Sequence, residues 1–208
     1  MEKLASPSER SLSAIVLAAG LSRRMAGRNK LLLPVGDVPL IFRSVATLLE
    51  VAFAEVVVVT GHESAKIEAA LGSLRVHFVH NAHYEEGQMT SVRAGLQALS
   101  EATRAVMVCL ADQPLLTSGD VTAIAEAFFD RPGCSVLVPT FEGVRGNPIV
   151  LARERIDEIL ARGGNFGCKH FISQNAALVT TAPMPSNRVL VDVDRPEDYA
   201  TLLASVTA

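Results

Sequence analysis

The chain contains no tryptophan, and aromatic residues make up only 5% of it. Few flat side chains are left for stacking successive bases, which excludes a platform for single-stranded nucleic acid. Net positive charge is also missing: 19 Lys and Arg against 22 Asp and Glu give -3, no electrostatic footprint for a duplex. Nucleic acid is therefore not an expected partner. The 3 cysteines, Cys109, Cys134 and Cys168, lie far apart with no Cys-x-x-Cys pair. That excludes a disulfide framework and a structural zinc site, and it points to a reducing cytoplasm. No apolar run approaches the roughly 20 residues of a membrane span, and Met1 to Ser13 holds no apolar core of signal-peptide length. No membrane is expected as a partner. Two familiar hydrolase signatures, Gly-x-Ser-x-Gly and His-Glu-x-x-His, are absent as well.

What is present begins with an uninterrupted apolar run, Ala14 to Leu17, that opens into Ala18-Ala19-Gly20-Leu21-Ser22-Arg23-Arg24-Met25. A β-prone run without a polar member suits a parallel strand covered on both faces. Ala18, Ala19 and Gly20 carry almost no side chain, so a ligand can approach the backbone and its N–H groups can face phosphate oxygens. Arg23, Arg24, Arg28 and Lys30 then place several cations in one loop. The pattern is neither a P-loop, because Gly27 is followed by Arg28-Asn29, nor a dinucleotide fingerprint, because position 22 is Ser. It reads as an anion site of a different kind, against the plainer alternative of a strand-to-helix turn with solvated arginines.

Strand-like runs recur at Ala14 to Leu17, Glu55 to Val59, Arg75 to Val79, Ala105 to Leu110, Ser135 to Val138 and Val189 to Val193. Helical patterns separate most of them: Pro39 in a first turn leading to Leu49, then His62 to Leu71, Thr90 to Leu99, and Val121 to Phe129. Thr117 with Asp120 three residues on predicts a capping box before the last of these. Such alternation predicts an α/β fold: a three-layer, mostly parallel sheet with helices on both faces, Rossmann-like. Ligands of such sheets bind outside the carboxyl ends of strands. The rule draws Ala18 to Lys30, Thr60 to His62, His80 to Ser91 and Ala111 to Pro114 to one cleft. Residues 1–12 read as a flexible N-terminus and 13–208 as one domain. Residues 139–175, where turn residues cluster and Gly163-Gly164-Asn165 breaks a helix, read as an insertion for a second substrate.

Asp112 follows a strand and emerges at the same edge, where a carboxylate can hold a hard cation such as Mg2+; its alternative is a turn before Pro114. Asp194 is the natural second carboxylate, or equally an N-cap for the helix after Pro196. Gly87 to Ser91 sets a glycine and small hydroxyls at a helix start, able to read the edge of a base or simply to cap. His80 and His83 read as loop histidines. In the later region Arg145, Asn147, Lys169 and His170 are candidate polar contacts, while Cys168 reads as a buried thiol. No nucleophile with an adjacent base stands out. That agrees with attack by a phosphate monoester on the α-phosphorus of a nucleoside triphosphate, since such a nucleophile is already anionic near neutral pH.

At this point the residues resemble a known family. Leu17-Ala18-Ala19-Gly20-Leu21-Ser22-Arg23-Arg24-Met25 with Asn29-Lys30-Leu31-Leu32 is similar to the signature of the molybdopterin nucleotidyltransferases, within the wider nucleotidyltransferases that activate sugars and alditols. The likeness continues through Thr60-Gly61, His80-Asn81, Gly87 to Ser91, Asp112-Gln113-Pro114, Gly146-Asn147-Pro148 and Asp192 to Asp198. Leu-Ala-Ala-Gly resembles the cytidylyltransferase branch, where the guanylyltransferase branch has Leu-Ala-Gly-Gly. A departure is Ala26, where many relatives carry glycine; if that position needs a positive φ, the loop geometry would differ slightly.

The resemblance implies a nucleotidyltransferase that moves CMP from CTP to the terminal phosphate of molybdopterin or its metal-bearing form, releasing pyrophosphate. Arg24, Lys30 and Asp112 would be catalytic. Nucleotide would lie against Leu17, Ala18, Ala19, Gly20, Ser22, Arg24, Lys30, Thr60, Gly61, Asn81, Gly87, Ser91 and Asp112, with Ala18, Ala19 and Ser91 near the base. Asp112 and Asp194 would hold Mg2+, and the acceptor would meet Gln113, Arg145, Gly146, Asn147 and Pro148. Expected partners are CTP, a molybdopterin-type acceptor and a molybdoenzyme apo-protein that receives the product. Two rival readings stand beside this one: transfer to a sugar, alditol or isoprenoid phosphate, and a non-enzymatic carrier that inserts the pterin into a molybdoenzyme.

Overall fold

The computed structural model describes residues 11–162 and 172–206. Its spine is β1 (Leu12–Ala18), hydrogen-bonded in parallel to β4 (Val56–Thr60) on one side and β6 (Ala105–Leu110) on the other. Outside β4 lies β5 (His77–His80), also parallel. Beyond β6 the direction reverses: β9 (Ile149–Ala152) runs antiparallel between β6 and β7 (Val136–Phe141), and β10 (Val179–Pro183) closes that edge parallel to β7. The order is β10-β7-β9-β6-β1-β4-β5, with the two-residue strand β8 (Val144–Arg145) folded back on β7. A separate two-stranded ribbon joins β2 (Pro34–Val35) to β3 (Val38–Pro39).

Side chains of β1 alternate between two apolar layers, as the pleat requires. Ala14, Val16 and Ala18 face α1 (Leu40–Leu49), α2 (Ser64–Leu71) and α4 (Ser118–Phe129). Ile15 faces α3 (Gln88–Gln97) and α5 (Arg153–Arg162). The last helix, α6 (Pro196–Val206), adds Leu202 to the first layer. Complete burial of a side chain such as Ile15 contributes about 1.5–3 kcal/mol. Gly95 brings α3 unusually near the sheet, since a Cβ there would lie 2.9 Å from Val59 and 3.2 Å from Ile15.

The mostly parallel sheet with helices on both faces is as the alternation predicts. The capping box at Thr117 forms: its hydroxyl accepts from the Asp120 N–H, and the Asp120 carboxylate accepts from the Thr117 N–H. Differences are local. Pro39 precedes α1 as its N-cap, and Gly87, with φ of 127°, precedes α3, so neither Thr90 nor Ser91 is the cap. Leu12 opens β1, and the Ser11 carbonyl before it accepts from the Arg104 and Ala105 N–H groups. Residues 139–152 are not set apart either; they supply parts of β7, all of β8 and β9, and so the middle of the sheet.

Val189 to Val193 is not a strand. Asn187–Leu190 forms a single 3-10 turn, followed by extended chain. The reason lies in where its backbone groups bond. The Val189 carbonyl accepts from the Gln113 side chain and the Asn147 N–H, and the Val193 N–H donates to the Asp112 carbonyl. Loop partners take the positions that a neighbouring strand would need.

Candidate active site

β1 delivers the small-residue loop to the carboxyl edge of the sheet. Ala18 and Ala19 are buried and Gly20 is exposed. A Cβ on Gly20 would meet nothing within 4 Å, so packing within the protein does not demand glycine there. The loop then turns through left-handed backbone at Ser22, Ala26 and Gly27, with φ of 49°, 50° and 80°. Ala26 thus adopts the glycine-like turn itself, at a cost of about 1–2 kcal/mol for an L-residue. Buried Met25 plugs the loop to the core, and the Ser22 hydroxyl accepts from the Lys30 N–H at 3.2 Å. Asn29 caps the short turn Lys30–Leu32 through its side-chain oxygen. These contacts set the root of the Lys30 side chain.

Lys30 joins residues far apart in sequence. Its Nζ donates to Asp112 Oδ2 at 2.6 Å and to Asp194 Oδ1 at 2.8 Å, and the Arg24 guanidinium pairs with Asp194 Oδ2 at 2.7 Å. The Lys30 and Asp112 side chains are only 14% and 16% exposed, so solvent screens this pair weakly. Burial opposes the Lys30 charge, but Asp112 and Asp194 outweigh it and hold the ammonium above its ordinary pKa. Asp194, despite a partial burial that pushes the other way, lies below the usual carboxylate range because of Lys30 and Arg24. Asp192 completes a cluster: one oxygen from each of Asp112, Asp192 and Asp194 lies within 4.8 Å of the others. Burial, then the charges of Asp112 and Asp194, push Asp192 upward. The Oδ1 atom of Asp112 is buried without a hydrogen-bond partner.

These groups line one side of a cavity of about 530 Å3. Leu17, Ala19, Gly20, Ser22 and Arg24 line it from the end of β1 and the loop that follows, and Tyr84, Gly87, Gln88 and Ser91 form its wall on the segment after β5. Asn81 braces that wall by donating to the Thr90 and Ser91 hydroxyls at 2.8 and 2.9 Å. Gly61 is a spacer: a Cβ there would come within 2.8 Å of both the Tyr84 and Ala19 side chains. Thr60 is fully buried, and its hydroxyl bonds to Glu68.

The structure therefore brings Leu17, Ala19, Gly20, Ser22, Arg24, Lys30, Gly87, Ser91, Asp112 and Asp194 to one cavity. Ala18, Thr60, Gly61 and Asn81 stand behind its wall. Gln113, Arg145, Gly146, Asn147 and Pro148 do not line it. Gln113, Gly146 and Pro148 are buried, and Arg145 is exposed on β8. Lys169, His170 and Cys168 lie outside the described residues. His83 pairs with Glu86 on the surface, and among the described residues the aspartate cluster is the one group fit for a metal ion. Sequence reasoning did not assign Asp192 or Tyr84. For Asp192 the signal was the alternation Val191-Asp192-Val193-Asp194, which in extended chain turns both carboxylates to the same side. Tyr84 carried none beyond its place in a loop at a strand end.

The family described as MobA-like NTP transferase domain matches residues 14–179. Molybdenum cofactor cytidylyltransferase of Escherichia coli (strain K12) is 23% identical over 192 residues, covering 92% of this chain and 95% of that protein. A solved nucleotidyl transferase from Methanothermobacter has a TM-score of 0.81 at 22% identity, covering 95% of this chain and 98% of its own. Rv0371c of Mycobacterium tuberculosis H37Rv, in complex with manganese, has a TM-score of 0.74 at 21% identity, over 94% and 99% of the two chains. At these identities the two structural likenesses bear on the fold.

Proposed function

The chain belongs to the MobA-like NTP transferase domain family, and from that premise we propose that this nucleotidyltransferase moves CMP from CTP to the terminal phosphate of a molybdopterin-type acceptor. The observation that carries the reading is Lys30, held between Asp112 and Asp194 beside the bare backbone of Ala19 and Gly20. Cytidine as the base rests on Ala19 in the Leu-Ala-Ala-Gly segment and on the E. coli relative's name, as does the acceptor.

The residues fit a divalent cation. Three carboxylates give an all-oxygen donor set within 4.8 Å, as Mg2+ prefers, and Asp112 Oδ1 is a buried acceptor with no other partner. A protein of the same fold has been solved with manganese. Asp112 and Asp194 would hold the ion, with Asp192 as a third ligand. When bound, it supplies charge neutralisation at the phosphates.

The rest falls to the chain itself. Backbone N–H groups around Gly20 and the Arg24 and Lys30 cations orient the triphosphate, while Gly87 and Ser91 face the base. An oxygen of the acceptor phosphate attacks the α-phosphorus, forming a P–O bond as the bond to the β-phosphate bridging oxygen breaks; the electron pair leaves on pyrophosphate. The nucleophile is already anionic, so no side chain need take a proton. Alignment and charge offset by Lys30 and Arg24 carry the catalysis.

The test is pyrophosphate release with Mg2+ and molybdopterin, comparing CTP, GTP and ATP, with Asp112→Ala as blank. Release with CTP alone is expected. Release with GTP instead overturns the base assignment, and silence with every nucleotide on folded protein overturns the acceptor in favour of another phosphate or a carrier role.

A further inference from the structure

We propose that Gln113 and Gly146 are positioning residues that act through one atom, the carbonyl oxygen of Val189, to set Asp192 and Asp194 against Asp112. Gln113 is 2% exposed and does not reach the cavity, although it follows Asp112 directly. Its Nε2 donates to the Val189 oxygen at 3.1 Å. The same oxygen accepts from the Asn147 N–H at 2.9 Å, so both of its lone pairs are used. Gly146 makes this convergence possible: a Cβ there would stand 2.6 Å from the Val189 oxygen and 2.9 Å from the Val189 Cβ. The Gly146 N–H is itself spent on the Pro139 carbonyl at 2.8 Å, which ties the site to β7.

The far end of the segment is pinned independently. The Val193 N–H donates to the Asp112 carbonyl at 3.0 Å, and the Asp194 N–H donates to Asp198 Oδ2 at 3.0 Å. Residues 189–193 thus form a strap fixed at both ends to the backbone or neighbour of Asp112, with Asp192 inside it and Asp194 at its exit. Gln113, Arg145, Gly146, Asn147 and Pro148 are expected from sequence to touch the acceptor. The Gln113 Nε2 and the Asn147 N–H are instead spent on this strap.

This inference rests on the reading of the aspartates as metal-holding, and its test separates the two. Mn2+ affinity in the presence of CTP is measured by electron paramagnetic resonance for the wild-type protein, Gln113→Ala and Gly146→Ala, with Ile156→Val in the opposite layer as a control for general destabilisation. Losing a group that orients a metal ligand typically costs 10–100-fold in affinity. The expected result is a loss of about 10-fold or more in both strap variants, an unchanged control, and a lowered kcat with the KM for molybdopterin unmoved. If Gly146→Ala does not fold, Gln113→Ala carries the test. Unchanged Mn2+ affinity with a raised KM for molybdopterin would overturn the proposal and return these residues to acceptor contact. No Mn2+ uptake by the wild-type protein would instead overturn the metal reading, and the strap's role with it.

Discussion

At the scale of single residues, Lys30 does two opposed things. Its ammonium neutralises Asp112 and Asp194, yet in the proposed reaction the same charge serves the triphosphate. Lys30→Ala is therefore expected to lower turnover by roughly 10²–10³ while tightening nucleotide-free Mn2+ binding, because the competing cation is gone. Titration of Mn2+ into both proteins checks this; weaker binding in the variant would contradict it. The meeting of Lys30 with Asp112 was legible in sequence because Asp112 lies just after a β-run and Lys30 in the loop that leaves another, so the carboxyl-edge rule brings both to one cleft. Asp192 was not, since its role depends on which side of an irregular segment it faces. Gln113 was legible as special but not for its partner: a contact 76 positions away leaves no local trace.

At the scale of elements, the loop after β1 carries a strain that a substitution can relieve. Ala26→Gly removes the Cβ penalty at φ of 50° and is expected to raise stability by up to about 1 kcal/mol, seen as a higher urea midpoint at unchanged slope. Helix α4 has a pH-dependent anchor. Asp120 is 4% exposed, accepts from the Thr117 N–H and hydroxyl, and takes two Arg188 hydrogen bonds of 2.7 and 2.8 Å. Burial alone would raise its pKa, but Arg188 and Thr117 outweigh that and hold it below the usual range. With the folded value lowered, this stabilisation is complete above about pH 4, the ordinary carboxylate range, and is lost as pH falls through the lower folded value. Asp120→Asn should flatten the acid limb of a plot of unfolding free energy against pH; an identical limb would remove Asp120 from it. The capping box was readable from three-residue spacing alone, whereas its Arg188 partner lies 68 residues on.

At the scale of the whole molecule, alternation of apolar runs with helical patterns revealed the parallel core around β1, because β1, β4 and β6 are buried on both faces and each crossover is local in sequence. The antiparallel insertion of β9 between β6 and β7 was not readable. Ile149 to Ala152 is apolar throughout, so its pattern signals burial without naming neighbours or direction. The cavity is lined from the ends of β1, β5 and β6, which the carboxyl-edge rule draws together, and by Asp192 and Asp194 near the strap, which that rule does not reach.

That dispersal has a consequence in time. Lys30 meets Asp112 across 82 positions and Asp194 across 164, and contacts of such separation form late because the entropy of closing large loops precedes their reward. The aspartate cluster cannot exist in a chain whose first half alone has folded. In refolding from urea, Mn2+ uptake should follow the slowest phase of near-UV circular dichroism rather than the early rise of helix signal, making the metal a reporter of the last step in folding.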